Sequence, residues 1–125
     1  MSYVLDTHTL LWWFSDPSQI SKKSRNIIAN SDKIIYVSSV TTWEIVIKKS
    51  LAKLKVPNTI FDLIFTENFQ ELTVTIEHTK KLAELPKLHN DPFDRLLIAQ
   101  AIVENSIILT RDKMIPKYDV KVIKV

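Results

Sequence analysis

The feature that most constrains this chain is the alternation, along its whole length, of short β-branched segments with longer stretches of helical period. Tyr3 to Leu5 reads as a short apolar strand that stops at Asp6 and Thr7, and Thr9 to Phe14 as a helix ended by Asp16 and Pro17. Ser21 is placed to cap a second helix reaching about Asn30. Lys33 to Ser38 (KIIYVS) is a second strand, followed by a helix from about Val40 to Leu51. Pro57 breaks the chain, Thr59 to Phe69 is helical, and Glu71 to Thr75 forms a third strand. Ile76 to Leu85 is a helix closed by Pro86. After the loop LPKLHNDP, Pro92 opens the longest apolar helix, Phe93 to Glu104. Ile107 to Thr110 and Val120 to Val125 are the last strands. Strands separated by helices throughout imply an α/β fold: a mainly parallel central sheet of about five strands, with helices on both faces and right-handed crossovers. No linker, repeat or low-complexity tract divides the 125 residues, so 1–125 is expected to form a single domain. In such sheets, chemistry gathers where strands end at their carboxyl edge and helices begin.

Composition removes several classes of chemistry. There is no glycine, so the dinucleotide fingerprint and the phosphate-cradling loop are excluded, since both need glycine where backbone approaches phosphate or turns with positive φ. There is no cysteine, which excludes disulfides, thiolate metal sites and cysteine nucleophiles. The longest apolar run, Leu10 to Phe14, is five residues, against the roughly 20 needed to span a bilayer. With no charged-then-apolar leader, a cytoplasmic location is expected. Lys and Arg number 17 against 14 Asp and Glu, a net charge of +3 that favours a polyanionic partner.

Four acids break the apolar pattern. Asp6 ends the first strand and Asp112 follows the strand Ile107 to Thr110; a helix cap and a surface turn are the ordinary readings of these two. Glu44 falls within one helical stripe with Val40, Trp43, Ile47 and Leu51, so it points from a face expected to be buried, where an unpaired carboxylate costs several kcal/mol. An ion pair with Lys48, one turn on, is the ordinary alternative. Asp94 heads the stripe Asp94, Leu97, Ile98, Ala101, while Asp91, before Pro92, is better placed for capping. Together, two acids at strand ends and two on inward helix faces are expected to converge on one edge of the sheet. Several ionised carboxylates share a pocket only with positive charge among them. Without cysteine, and with His8, His78 and His89 not in zinc-ligand spacing, that charge is expected to be Mg²⁺ or Mn²⁺. On a basic chain lacking a phosphate loop, such a site points to phosphodiester hydrolysis by a metal-activated water.

The stretches that carry these acids also carry a resemblance. DTHTLLWW at 6–13, SSVTTWEIVIKKSLAKL at 38–54, HNDPFDRLLIAQA at 89–101 and LTRD at 109–112 resemble, in order and spacing, the PIN-domain ribonucleases. More narrowly, they resemble the VapC-type toxins of type II bacterial toxin–antitoxin pairs. The resemblance places the family's acid quartet on Asp6, Glu44, Asp94 and Asp112, as both catalytic and metal-binding residues. It implies a PIN fold, one or two Mg²⁺ or Mn²⁺ ions, and endonucleolytic cleavage of RNA that leaves a 5′-phosphate and a 3′-hydroxyl. It further implies a homodimer, silenced by a cognate antitoxin whose inserted segment blocks the acidic groove.

Thr7, Ser39 and Thr110 match family positions that carry a hydroxyl beside the acids, and Asp91 is a further supporting residue. Lys48, Lys49, Arg95 and Arg111 are candidate RNA contacts, with solvated faces or structural ion pairs as the ordinary alternatives. Trp12, Trp13 and Phe14 read mainly as core or dimer contacts. His78 and His89 have no partner evident in the sequence. Ala52 and Asn105 stand where relatives often carry glycine; Ala52 is read as extending its helix and Asn105 as a left-handed terminator. Two other functions compete. A catalytically inactive PIN-like RNA- or protein-binding module ranks behind because all four acids persist. An aspartate-based phosphatase or phosphoacceptor domain ranks behind because Asp6 lacks a closely spaced second acid.

Overall fold

The computed structural model describes residues 1–125 and has a five-stranded parallel sheet in the order β3-β2-β1-β4-β5. The first strand, β1 (Ser2–Leu5), is therefore central. It pairs with β2 (Ile34–Ser38) on one side and β4 (Ile107–Thr110) on the other, with Leu5 opposite Leu109. β3 (Phe69–Leu72) and β5 (Val122–Lys124) form the two edges. The helices are α1 (Thr7–Ser15), α2 (Lys22–Ala29), α3 (Ser39–Ser50), α4 (Ile60–Thr66), α5 (Ile76–Glu84) and α6 (Pro92–Val103).

The pleat of the central strands sorts side chains into two cores. Tyr3, Leu5, Ile107 and Leu109 face one side, with Leu10 of α1, Ile28 of α2 and Ile60 and Ile64 of α4. Val4 and Ile108 face the other, with Leu97, Ile98 and Ala101 of α6. Because the central strands are covered on both faces, they carry continuous apolar runs, as buried parallel strands require.

Four local expectations are corrected. The third strand lies at Phe69–Leu72, not Glu71–Thr75, because Thr75 leaves the sheet to cap α5. Its hydroxyl accepts from the His78 N–H (3.2 Å), and His78 Nδ1 accepts from the Thr75 N–H (3.0 Å). The preceding helix therefore ends at Thr66 rather than Phe69. On α3 the buried residues are Val40, Thr41, Glu44 and Ile45, whereas Trp43, Ile47 and Leu51 are exposed. Glu44 lies on the border that both stripes share, so its burial survives a rotation of the face to which it was assigned. Ala52 does not extend α3: its φ of 55° is left-handed, as is the 52° of Asn105. Alanine carries the steric cost of that conformation, which asparagine tolerates better.

Candidate active site

From β1 the chain builds outward to β2 and β3, then returns to the other side of β1 for β4 and β5. The reversal opens a crevice at the carboxyl ends of β1 and β4. Asp6 directly follows β1 and Asp112 lies two residues beyond β4. The amino-terminal halves of α3 and α6 carry Glu44 and Asp94 to the same place. All four acids line one cavity of about 70 Å³, together with Asp91, Thr7, His8, Thr41 and Lys48.

Each acid is held differently. Asp6 caps α1, accepting from the Thr9 N–H (2.9 Å) through Oδ1 and from the Thr110 hydroxyl through Oδ2. Burial raises its pKa, and the bonds from Thr110 and Thr9 oppose that rise. Glu44 accepts from the Thr7 hydroxyl (2.5 Å) and pairs with Lys48, whose pKa is raised chiefly by its hydrogen bond to Glu44. Asp112 caps the turn after β4, accepting from the N–H groups of Met114 (2.7 Å) and Ile115 (3.0 Å). Asp91 caps α6, accepting from the N–H groups of Phe93 (2.9 Å) and Asp94 (3.1 Å).

Asp94 is the least satisfied of the set. Its pKa is raised to about 7, first by burial and then by the charge of Asp91, with Asp112 and Glu44 adding to the rise and a hydrogen bond from His89 opposing it. The cluster therefore holds more negative charge than its own cations balance. Lys48 is the one lysine or arginine lining the cavity.

The remaining predicted residues divide. Thr7 and Thr110 touch the acids directly, but Ser39 does not. Its hydroxyl points to the Leu72 carbonyl (3.5 Å), and it lines a separate, more apolar cavity of about 160 Å³ with Phe61 and Phe65. Thr41, two residues and about 200° further round α3, lines the acidic cavity instead. Lys49 turns away to Asn58. Arg95 is bound to the Pro86 carbonyl (2.9 Å) and the Tyr118 hydroxyl (3.0 Å). Arg111 is bound to the carbonyls of Val125 and Gln19 and lies 4.5 Å from the Trp12 ring centroid. Neither arginine lines the cavity. Trp12, Trp13 and Phe14 pack half-buried against the larger core.

Sequence reasoning missed His89, which donates or accepts at Asp94 (3.3 Å) and at Tyr118 (2.8 Å). It lies in an irregular loop, where no periodicity reports direction.

The donors fit a hard cation: they are carboxylate oxygens with hydroxyls beside them, and the cavity has room for an ion with part of its water shell. No three of the His, Asp and Glu side chains are gathered into a ready-made cation cage.

The family model described as PIN domain matches residues 3–121. Ribonuclease VapC22 of Mycobacterium tuberculosis is 24% identical over 113 residues, covering 88% of this chain and 86% of that protein. Among solved structures, a chain of VapBC2 from Rickettsia felis bound to a DNA fragment from their promoter superposes with a TM-score of 0.77 at 18% identity, covering 99% of this chain and 98% of that one. A chain of DNA-bound VapBC from Salmonella typhimurium gives 0.72 at 14% identity, with coverage of 99% and 98%. A chain of FitAB bound to an IR36 DNA fragment gives 0.70 at 17%, with coverage of 98% and 94%.

Proposed function

Since the chain belongs to the PIN domain family, we propose that it is a metal-dependent endoribonuclease acting as the toxin of a toxin–antitoxin pair. The observation that carries this reading is the convergence of Asp6, Glu44, Asp94 and Asp112, from four separate stretches, on one cavity at the switch point of the sheet. The relationship to a protein named a ribonuclease supports the reaction type, and the likeness to chains of VapBC assemblies supports an antitoxin as partner.

In this reading Asp6, Glu44, Asp94 and Asp112 would hold one or two Mg²⁺ or Mn²⁺ ions. When bound, the ion supplies polarisation of the phosphate and a water of lowered pKa. The protein's own part is positional. Thr9 and Thr110 fix both oxygens of Asp6, and Thr7 fixes one oxygen of Glu44. Lys48, paired with Glu44 at the cavity wall, is the cation placed to meet a substrate phosphate, and a carboxylate oxygen of the cluster would accept the proton of the attacking water. The net charge of +3, with four acids sequestered, leaves a more basic remaining surface for RNA.

An antitoxin would fill the acidic groove with a cationic side chain. The exposed apolar residues Trp43 and Val46 of α3, Leu51 just after it and Phe65 of α4 support a homodimer or antitoxin contact.

Purified protein is expected to cleave a structured RNA with Mg²⁺ or Mn²⁺ and to stop on chelation. Asp6→Ala or Asp94→Ala should abolish cleavage with circular dichroism unchanged. Metal-independent cleavage, or undiminished cleavage by both variants, would overturn the proposal. Coexpression with the product of a small abutting reading frame encoding a DNA-binding antitoxin should silence toxicity.

A further inference from the structure

Beside the acidic cavity, outside the residues that line it, a chain of polar side chains runs from α6 back to Asp94. Tyr118, buried at 3% exposure, receives two donors at its phenol oxygen: the His89 backbone N–H (3.3 Å) and an Arg95 guanidinium nitrogen (3.0 Å). Arg95 is itself fixed by the Pro86 carbonyl (2.9 Å) and lies 5.9 Å from the Tyr118 ring centroid. His89 Nδ1 stands 2.8 Å from the same phenol oxygen, and its Nε2 stands 3.3 Å from Asp94 Oδ2.

Donor counting fixes the proton. A phenol oxygen has one hydrogen to give and lone pairs for about two donors. With both acceptor places taken by His89 N–H and Arg95, the Tyr118 hydroxyl hydrogen is left to point at His89 Nδ1. Nδ1 is then an acceptor, so the ring's own hydrogen is on Nε2 and is donated to Asp94. A ring bearing hydrogen on Nδ1 would bring a third donor to the same oxygen.

We propose that His89 is a positioning residue for Asp94, held in its Nε2–H tautomer by Tyr118, which Arg95 in turn orients. The relay fixes one oxygen of Asp94 and leaves Oδ1 open to the cavity. This deepens the nuclease reading and rests on it for its catalytic consequence, although the tautomer itself does not. It also gives Arg95 a task other than gripping phosphate. Such outer partners of a ligating carboxylate orient it, and their loss typically lowers metal affinity or activity about 10- to 100-fold.

The test has two arms. In the metal-free protein at pH 8, nitrogen-15 NMR of the imidazoles is expected to find His89 in the Nε2–H form. Tyr118→Phe, which keeps the buried ring, should shift it toward a mixture. In the second arm, His89→Ala should weaken Mn²⁺ binding, read by electron paramagnetic resonance, and lower kcat about tenfold or more with KM for RNA little changed. His89→Gln, whose amide N–H can reach the same carboxylate, should restore most of both, and His89→Asn, with its shorter reach, should not. An Nδ1–H ring in the wild type would overturn the proposal. So would a His89→Gln variant no better than His89→Ala in a folded protein. The Nε2–H form in a protein that cleaves no RNA would keep the relay and remove the nuclease reading.

Discussion

Asp6 and Asp94 line the same cavity yet are held in opposite ways. Asp6, at the end of β1, has both oxygens hydrogen-bonded, by the Thr9 N–H and the Thr110 hydroxyl, and belongs to the sheet as much as to the site. Asp94, in the first turn of α6, has one bond from His89 and faces the charges of Asp91, Asp112 and Glu44. The strand end gives its acid a satisfied and rigid position. The helix start holds its acid under repulsion that only added positive charge relieves. Burial raises the pKa of both acids, but at Asp6 the bonds from Thr110 and Thr9 oppose the rise, whereas at Asp94 the neighbouring carboxylates add to it.

The largest expected effect erases the difference between them. Asp6→Asn and Asp94→Asn should each lower RNA cleavage on the order of 100-fold or more, because both acids serve the same charge in the reaction. Single-turnover assays with Mg²⁺ or Mn²⁺ would show it, and a variant retaining wild-type cleavage would remove that acid from the site.

Stability should then show the repulsion around Asp94. In the metal-free protein, Asp94 keeps its proton up to about 7, whereas in the unfolded chain it loses it near the ordinary 3.8. Between these values the folded state binds more protons than the unfolded state, so stability falls as pH rises through the window. Urea unfolding in a chelator should show that decline between pH 4 and pH 7. Asp94→Asn should lessen it, the remainder coming from Asp6, whose pKa burial also raises, and should raise stability at pH 8 by roughly 2–4 kcal/mol. Added Mn²⁺ should stabilise the wild type in the same pH range and the Asp94→Asn variant far less.

Thr110→Val tests the other side of the comparison. Removing the hydroxyl that donates to buried Asp6 should destabilise the fold by about 1–3 kcal/mol, since the carboxylate oxygen is left without its partner. A neutral result would mean that Asp6 is no better satisfied than Asp94.

The smallest effect lies away from both acids and sets a baseline. Ala52→Gly, at φ 55°, should raise stability by about 1 kcal/mol and leave cleavage unchanged, whereas Asn105→Gly should gain less. Thermal unfolding of the pair would check this.

The order of elements was legible because the β-branched runs at 3–5, 34–38 and 107–110 are separated by stretches that can only be helical, and because Ser21 and Pro92 mark helix starts. The limits of the third strand are not legible locally: Glu71 to Thr75 is β-prone, while the actual limits follow from pairing with Ile35–Ser38 and from the Thr75 cap. The face of α3 was read from periodicity, which put Trp43, Ile47 and Leu51 inside; they are exposed, and Thr41 and Ile45 are buried instead. Glu44 was found because it lies on the edge common to both readings.

The sequence by itself determined the strand–helix order, the parallel sheet, and the places where carboxylates interrupt an apolar pattern, because these depend on residues near one another in the chain. Only the tertiary structure decided which of those acids are satisfied. Whether Asp6 finds the hydroxyl of Thr110, or Asp94 finds His89 oriented by Tyr118, depends on where distant segments come to rest. Proton affinity and metal demand follow from those neighbours, and no local pattern encodes them.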